Sequence, residues 1–497
     1  MRWCCALSIA AFSASIGFVL RGEASDSTGP NVAPPADEAA AVIQAFAGLE
    51  NAGPDLVVGN IAAPWAGGNV VVGGRTIRGF GIGTTACNVG TQPLNWVQET
   101  PDHPVIAQSV YRISGQGRFE QIGFGWPKHS FCALQYQRGL PGNYCATCQA
   151  ACQGCCSRLG VGCWDPYASN RNGLQEYLGP RSEINAFTGE FPFPYGIAWE
   201  QTGNAIYKRV QIDVTQLDPT LNPGAFFYAE AQYVARDDAA AGNSENNVSS
   251  RQLLVSGATP NFELALTGTF NTTIPAIRRW PVHVPQAVVR TVDLTDEGRF
   301  EIGGYARDNG NGTWTYNYAV YNQNSHRAGY AFEVAIASGV GVSNIGMSFP
   351  GYHSGEPLTN APWSGVRSGS KVRWQADATF AVNPNANAIR WGTAYTFWFT
   401  ATRPPINGEV RIETFRQPGF ATALLPVPEP LPVDLADSNC DSVINVSDIG
   451  PFVIALTNPG GFSAAFPGCD ILNSDTNQDG FVNEGDIGSF VTILLGQ

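Results

Sequence analysis

From Asp55 onward the chain alternates apolar and polar residues in short runs broken by turn residues. Val210, Ile212 and Val214 flank Gln211 and Asp213, the period of two that a half-buried strand requires. Trp314, Tyr316, Tyr318 and Val320 repeat the pattern, as do Tyr395, Phe397 and Phe399, and Val410 with Ile412. Asp218-Pro219, Asp308-Asn-Gly-Asn-Gly312 and Asn383-Pro-Asn385 mark turns between such runs. A helical period appears in residues 36–51, at Ile449, Phe452, Val453 and Leu456, and again at Ile487, Phe490, Val491 and Leu494.

These patterns predict a mainly β protein with two β-sandwich-like modules, followed by a small α-helical domain. A segment with a short helix occupies 25–54. One β-rich module spans 55–269 and holds a cysteine-rich insertion at 132–163; a β-sandwich spans 287–420, with Ile274–Pro285 between them. Gly117-Arg-Phe-Glu120 recurs as Gly298-Arg-Phe-Glu301, a faint echo of duplication. Residues 425–433 carry four prolines and read as a stiff linker, and 434–497 form the tail.

Composition narrows the class. Charged residues are 14% of the 497, against a usual ~25%, and hydrophobic residues are 44%. With 56 Gly and 34 Pro, the chain is turn-rich and folded, which excludes coiled coil, collagen, polar disorder and helical bundle. A net charge of −13 leaves no basic field for phosphate backbones, so nucleic acid is not an expected partner. Arg2, the apolar stretch Trp3–Leu20 and the small residues around Ala24 read as a signal peptide over 1–24, which implies a secreted protein. No later run approaches the ~18 apolar residues of a membrane span.

The cysteines fit export. Beyond Cys4 and Cys5, ten remain: Cys87, Cys132, Cys145, Cys148, Cys152, Cys155, Cys156 and Cys163 in the body, and Cys440 and Cys469 in the tail. Cys-x2-Cys spacing suits zinc in a reducing compartment. After export, disulfides are the expected fate, with connectivity open at 105 possibilities for eight cysteines.

The tail holds the specific motif. Asp437, Asn439, Asp441, Asn445 and Asp448 occupy positions 1, 3, 5, 9 and 12 of a loop, with the carbonyl of Val443 at position 7. Asp475, Asn477, Asp479, Asn483 and Asp486 repeat it, with Phe481 at position 7. Such spacing wraps six or more hard oxygens around one point, the requirement of Ca²⁺, and predicts two calcium sites. Gly480 makes the sharp turn at position 6, where the first loop has the poorer Ser442. Each loop precedes a helix, and neither follows an obvious one: Pro459-Gly-Gly-Phe and Pro467-Gly-Cys read as turns. Loop then helix, twice, resembles the type I dockerin module of bacterial polysaccharide-degrading assemblies. The resemblance implies a pseudo-twofold Ca²⁺-binding tail that docks onto a cohesin-type domain. Positions 10 and 11, often Ser-Thr in that family, are Val446-Ser447 and Glu484-Gly485. Cys440 with Cys469 is placed to staple the long inter-loop spacer.

The body lacks a Gly-x-Ser-x-Gly elbow, a His-Glu-x-x-His motif, a P-loop and a dinucleotide fingerprint. His129, Asp165, Glu183 and Glu230 are the candidate catalytic residues, with Lys128 and Arg181 nearby in sequence. Two carboxylates at suitable separation would permit glycoside hydrolysis. Trp164, Tyr352 and Trp363 lie in turn-rich sequence and are the candidates for stacking on sugar rings. Three readings follow: a tail-anchored payload for polysaccharide binding or degradation, a glycoside hydrolase carried by the tail, and a structural surface protein with a Ca²⁺-stabilised tail.

Overall fold

The computed structural model describes residues 52–137, 145, 147–337, 340–430 and 434–496. The expected signal peptide, the helix at 36–51, part of the cysteine-rich insertion and 431–433 of the linker lie outside them.

Both expected sandwiches form. In the first, strands Leu56–Val72, Arg75–Asn88 and Trp164–Tyr167 make one antiparallel sheet, with Val210–Asp213 joined to the second of them. The facing sheet runs Glu263–Asn271, Val248–Ser256, Phe226–Val234, Val105–Ile113 and Phe119–Phe124. Phe80 and Ile82 of one sheet meet Val110, Phe227 and Tyr233 of the other in a shared core. Strand Arg75–Asn88 is buried on both faces because Gly79, Gly81 and Gly83 alternate with the apolar residues. A Cβ at Gly79 would stand 2.7 Å from the carbonyl of Ala205, so only glycine lets that loop backbone lie against the sheet.

The expected disulfides are present. Cys87–Cys145, Cys132–Cys155, Cys148–Cys163 and Cys152–Cys156 tie the insertion to itself and to the end of the strand that carries Cys87, and Cys440–Cys469 staples the tail.

The second sandwich pairs Val288–Leu294, Gly298–Asp308, Trp314–Asn322, Thr393–Ala401 and Val342–Ser348 in one sheet. Ser364–Ser368, Lys371–Gln375, Gly329–Ala335, Pro405–Thr414 and Phe420–Pro428 form the other. Tyr316, Tyr318, Phe397 and Phe399 pack against Phe332, Trp374, Val410 and Ile412, as their period predicts. The half-buried reading fails for Trp314–Asn322, however, which is buried on both sides from Tyr316 onward. Its other face, Ala319 and Tyr321, packs on Tyr111, Phe119 and Tyr228 of the first sandwich.

Residues 274–285 are therefore a wedge rather than a spacer. Short helical turns at Ala276–Arg279 and Trp280–His283 drive Ala276, Ile277 and Trp280 into the junction, where Trp280 Nε1 donates to the Gly117 carbonyl at 2.7 Å. The linker also begins later than expected. Leu425–Pro428 close the last strand against Pro405–Gly408, with Leu425 and Val427 in the core. Prolines are tolerated there because this strand is the sheet edge.

In the tail, helices Ile449–Thr457 and Ile487–Leu494 follow the two loops as expected. A further helix, Pro459–Ala465, replaces the turn read at Pro459-Gly-Gly-Phe. Asn458 caps it by accepting from the Gly461 N–H, and proline suits a first helical position.

Candidate functional site

The two tail loops repeat the same carboxylate bonds. Asp437 accepts from the backbone N–H groups of Asp441 and Ser442 at 3.2 and 2.9 Å; Asp475 accepts from Asp479 and Gly480 at 3.2 and 2.9 Å. Asp448 accepts from Asn439 and Asn445 at 3.0 and 2.9 Å, and Asp486 from Asn477 and Asn483 at the same distances. Asn445 and Asn483 then cap the helical turns that follow, each completing a reciprocal capping box with the closing aspartate. Position 6 is left-handed in both loops, with φ +67° at Ser442 and +89° at Gly480.

The donor set suits a hard cation: carboxylate, amide and carbonyl oxygens, with no thiol or imidazole among the loop residues. As placed, the carboxylates are turned to the loops' own N–H groups. Among the described residues no three His, Cys, Asp or Glu side chains converge closely enough to hold an ion. Burial, with Asp448 and Asp441 nearby, raises the Asp437 carboxyl above its ordinary value, a like-charge strain that a cation would relieve.

Phe452 and Phe490, one from each helix, stack at 3.8 Å between ring centroids. Half of each helix stripe is not core. Ile449 and Val453 are 43% and 47% exposed, and their counterparts Ile487 and Val491 are 47% and 44% exposed. The sequence period put all of them on one helix face with Phe452 and Phe490. The tail is too small to cover that width, and the outer half is left as a duplicated apolar surface.

The body does not gather its four candidates into one constellation. Glu230 is buried at the junction, accepting from Tyr111 Oη at 2.9 Å and the Ala276 N–H at 2.7 Å, and burial raises its carboxyl to about 7. Glu183 accepts from the N–H groups of Gly196 and Ile197, so it props a loop. It is not the surface ion-pair partner of Arg181, which is fully buried, donates to the carbonyls of Gly125 and Gln108, and packs on Phe124 and Trp391. Asp165 is buried, accepts from Leu134 N–H and is raised to about 8 by burial; one of its oxygens has no partner among the described residues. His129 shares a 2.9 Å hydrogen bond with His103, and burial lowers both imidazoles. Lys128 beside it is lowered to about 7, again chiefly by burial, with its Nζ over the rings of Phe131 and Tyr177. Among the stacking candidates, Tyr352 and Trp363 are buried, while Trp164 is half-buried and stacks on the exposed Tyr136 at 4.8 Å.

The better aromatic site is one the sequence reading missed. Phe131, Tyr177, Phe193, Tyr195 and Trp199 line a cavity of about 100 Å³ whose polar wall includes Glu99, Glu176, Glu200 and His129. Trp199 meets Tyr195 at 4.6 Å and Phe193 at 4.8 Å, edge to face. Glu99, Ala198 and Glu200 all hold left-handed backbone, which clusters strain at this rim. The signal was present in Phe191-Pro-Phe-Pro-Tyr-Gly-Ile-Ala-Trp-Glu200, as aromatic and turn-rich as the stretches singled out.

No family model matches the chain, and no curated protein matches it. Among solved structures, the exo-chitosanase CsxA of Amycolatopsis orientalis is similar at 9% identity and a TM-score of 0.17, over 69% of this chain and 25% of its own. The serine-rich repeat adhesion glycoprotein Srr1 of Streptococcus agalactiae is similar at 10% identity and a TM-score of 0.18, over 71% of this chain and 89% of its own. The chain thus spans about a quarter of the chitosanase. Overlap this low assigns neither fold family nor activity. Among the described residues no helix is long and apolar enough to cross a membrane.

Proposed function

We propose that this is a secreted bacterial attachment protein, whose dockerin-like tail binds two Ca²⁺ ions and docks the β-sandwich body onto a cohesin-type partner. The observation that carries the reading is the duplication of the tail loops, identical in hydrogen-bond pattern and in the helix each one starts. Asp437, Asn439, Asp441, Val443, Asn445 and Asp448 would hold one ion, and Asp475, Asn477, Asp479, Phe481, Asn483 and Asp486 the other. Bound Ca²⁺ supplies cross-linking charge that neutralises the carboxylates and fixes the helices. The apolar pairs Ile449 with Ile487 and Val453 with Val491 are the surface for the partner. Five disulfides support an oxidising destination.

For the body, the aromatic cavity around Trp199 supports polysaccharide binding, because ring faces stack on sugar rings while carboxylates accept hydroxyl protons. Hydrolysis is the weaker reading: Glu183 and Glu230 are already committed to backbone N–H groups, and Asp165 lies elsewhere.

Calorimetry of the full mature chain with Ca²⁺, then capture on immobilised cohesin-type domains with and without chelator, tests the tail. Two ions per chain and chelator-sensitive capture are expected; absence of Ca²⁺ binding overturns the reading. A polysaccharide panel tests the body: retention lost in Trp199→Ala supports binding, and release of reducing ends makes the body a hydrolase.

A further inference from the structure

A second cavity, of about 50 Å³, lies where loops of both sandwiches meet and has nothing to do with the tail. Its wall includes Arg181, Ser182, Ser325, His326, Arg390 and Arg416. Three arginines on the wall of one small space are unexpected in a chain of net charge −13. Among the described residues none of the three forms an ion pair. Of the nearby carboxylates, Glu356 accepts from the backbone N–H groups of Arg181 and Ser182 and sets one negative charge against Arg181 and Arg390, while Glu297 pairs with Arg327 at 2.8 Å.

Carbonyl groups satisfy part of this cluster. Arg181 donates to Gly125 and Gln108, and Arg390 Nη2 donates to Pro384 and Ala386 at 2.8 and 3.1 Å. Among the described residues, four buried polar atoms of these wall residues have no partner: Arg181 Nη1, Arg390 Nε, Arg416 Nε and Ser325 Oγ, while the Ser182 hydroxyl serves the Glu356 carboxylate. Arg181 and Ser325 are 1% exposed and Arg390 is 6% exposed, so water does not reach them freely.

Burying an unpaired charge is expensive, and a lysine escapes by shedding its proton, as the lowering of Lys128 to about 7 illustrates. A guanidinium has no such exit. What remains is a counter-anion that accepts several N–H and O–H bonds at once, the geometry an oxyanion offers and chloride does not.

We propose that this junction cavity is a binding site for a single oxyanion group such as sulfate, held by Arg181, Arg390 and Arg416 with the hydroxyl of Ser325. His326 at its edge agrees: burial, then Arg416 and Arg390, lower its imidazole to about 4, so the positive field is felt at the mouth. The volume admits one such group and not a sugar ring. Pro384 and Asn385 at the rim are exposed, so the group arrives either as a free ion or on a substituent of a longer chain. A basic surface for nucleic acid is a different thing: these charges are enclosed, not spread.

Equilibrium dialysis of the full chain against labelled sulfate, at ionic strength fixed with sodium chloride, is the test. Saturable binding of one sulfate per chain is expected. Dialysis is preferred to melting because sulfate raises the stability of most proteins by exclusion. Arg416→Gln, which alters a half-exposed side chain, should weaken binding about tenfold or more through loss of a charge-assisted bond. Should that variant show altered circular dichroism, Ser325→Ala takes its place, with a several-fold weakening expected. No binding above the chloride control, or binding unchanged in the folded variant used, overturns the proposal. Parallel columns of a sulfated polysaccharide and its desulfated form separate the sources. Retention that free sulfate displaces and Arg416→Gln abolishes identifies a polymer-borne group; dialysis binding without retention identifies the free ion.

Discussion

In the tail, Asp437 takes its hydrogen bonds from Asp441 and Ser442, within five residues; in the body, Glu230 takes its own from Tyr111 and Ala276, 119 and 46 residues away. The two regions place carboxylates for opposite reasons. Tail aspartates serve a turn whose geometry is written in consecutive positions. Body carboxylates are fixed by the meeting of two sandwiches, and burial there moves them toward the neutral acid. A local site can be tuned by one residue without touching the fold. A junction site cannot, since the groups that hold it are also core.

The largest effect expected from this contrast comes from Trp280→Ala. Trp280 is fully buried between Phe119 and Tyr305 and satisfies the Gly117 carbonyl. Removing a buried tryptophan costs roughly 3–5 kcal/mol, read as a lower denaturation midpoint for the body. The Ca²⁺ affinity of the tail should not change. A parallel loss of Ca²⁺ affinity would break the comparison by coupling the regions.

Glu230→Gln comes next, and its effect depends on pH. The Glu230 carboxyl rises from 4.5 to about 7 because burial disfavours its ionised form. A raised acid binds a proton more tightly folded than unfolded. Its stabilising contribution is therefore complete below pH 4.5 and is lost as pH climbs to about 7. Between those limits the wild type should lose about 3 kcal/mol relative to the glutamine variant, which does not titrate. Paired denaturant melts at pH 4.5 and 8 check this, and parallel curves would show that Glu230 is better solvated than its burial implies.

Asp486→Ala is the matching test in the tail. It removes the oxygen that closes the second loop and accepts from Asn477 and Asn483. At a Ca²⁺ concentration about one hundred times Kd, a lost site forfeits about 2.7 kcal/mol of ligand-linked stability. Calorimetry should count one ion in place of two, and chelator should then have half its former effect. Two ions in the variant would place the closing ligand elsewhere.

This division also decides what was legible beforehand. Position 1 to position 12 of each loop lies in twelve consecutive residues, so spacing alone exposed the oxygen set and the helix after it. Strand periods worked for Val410–Ile412, whose alternation reports one core, and only in part for Tyr395–Phe399, where Thr396 on the other face is buried against Phe119. They failed for Trp314–Asn322, because its second face is covered by a module that sequence treats as separate. The aromatic cavity draws Phe131, Tyr177 and Trp199 from three loops, and the arginine cavity joins Arg181 to Arg416 across 235 positions. Neither leaves a spacing to find. The apolar stripe of each tail helix was legible as a stripe, but how much of it is covered was not, since period does not say how wide the covering surface is.

The smallest effect offers the sharpest comparison, because it sets one tail loop against the other. Ser442 and Gly480 hold the same position, both left-handed, and their N–H groups donate to Asp437 and Asp475 at the same 2.9 Å. A residue with a Cβ pays roughly 1–2 kcal/mol in that conformation, and glycine avoids it. Ser442→Gly should therefore stabilise the first loop by about 1 kcal/mol, less a fraction for the added freedom of the unfolded chain. Gly480→Ser should weaken the second by a similar amount. Nothing lies within 4 Å of a Cβ built at Gly480, so the cost there is backbone strain and not a clash. Calcium titrations should resolve a weaker first site and a tighter second site in the wild type. The first substitution should merge them, and the double exchange should invert their order. Two equal sites in the wild type, unmoved by either change, would mean that the capping boxes at Asn445 and Asn483, and not position 6, set the affinity.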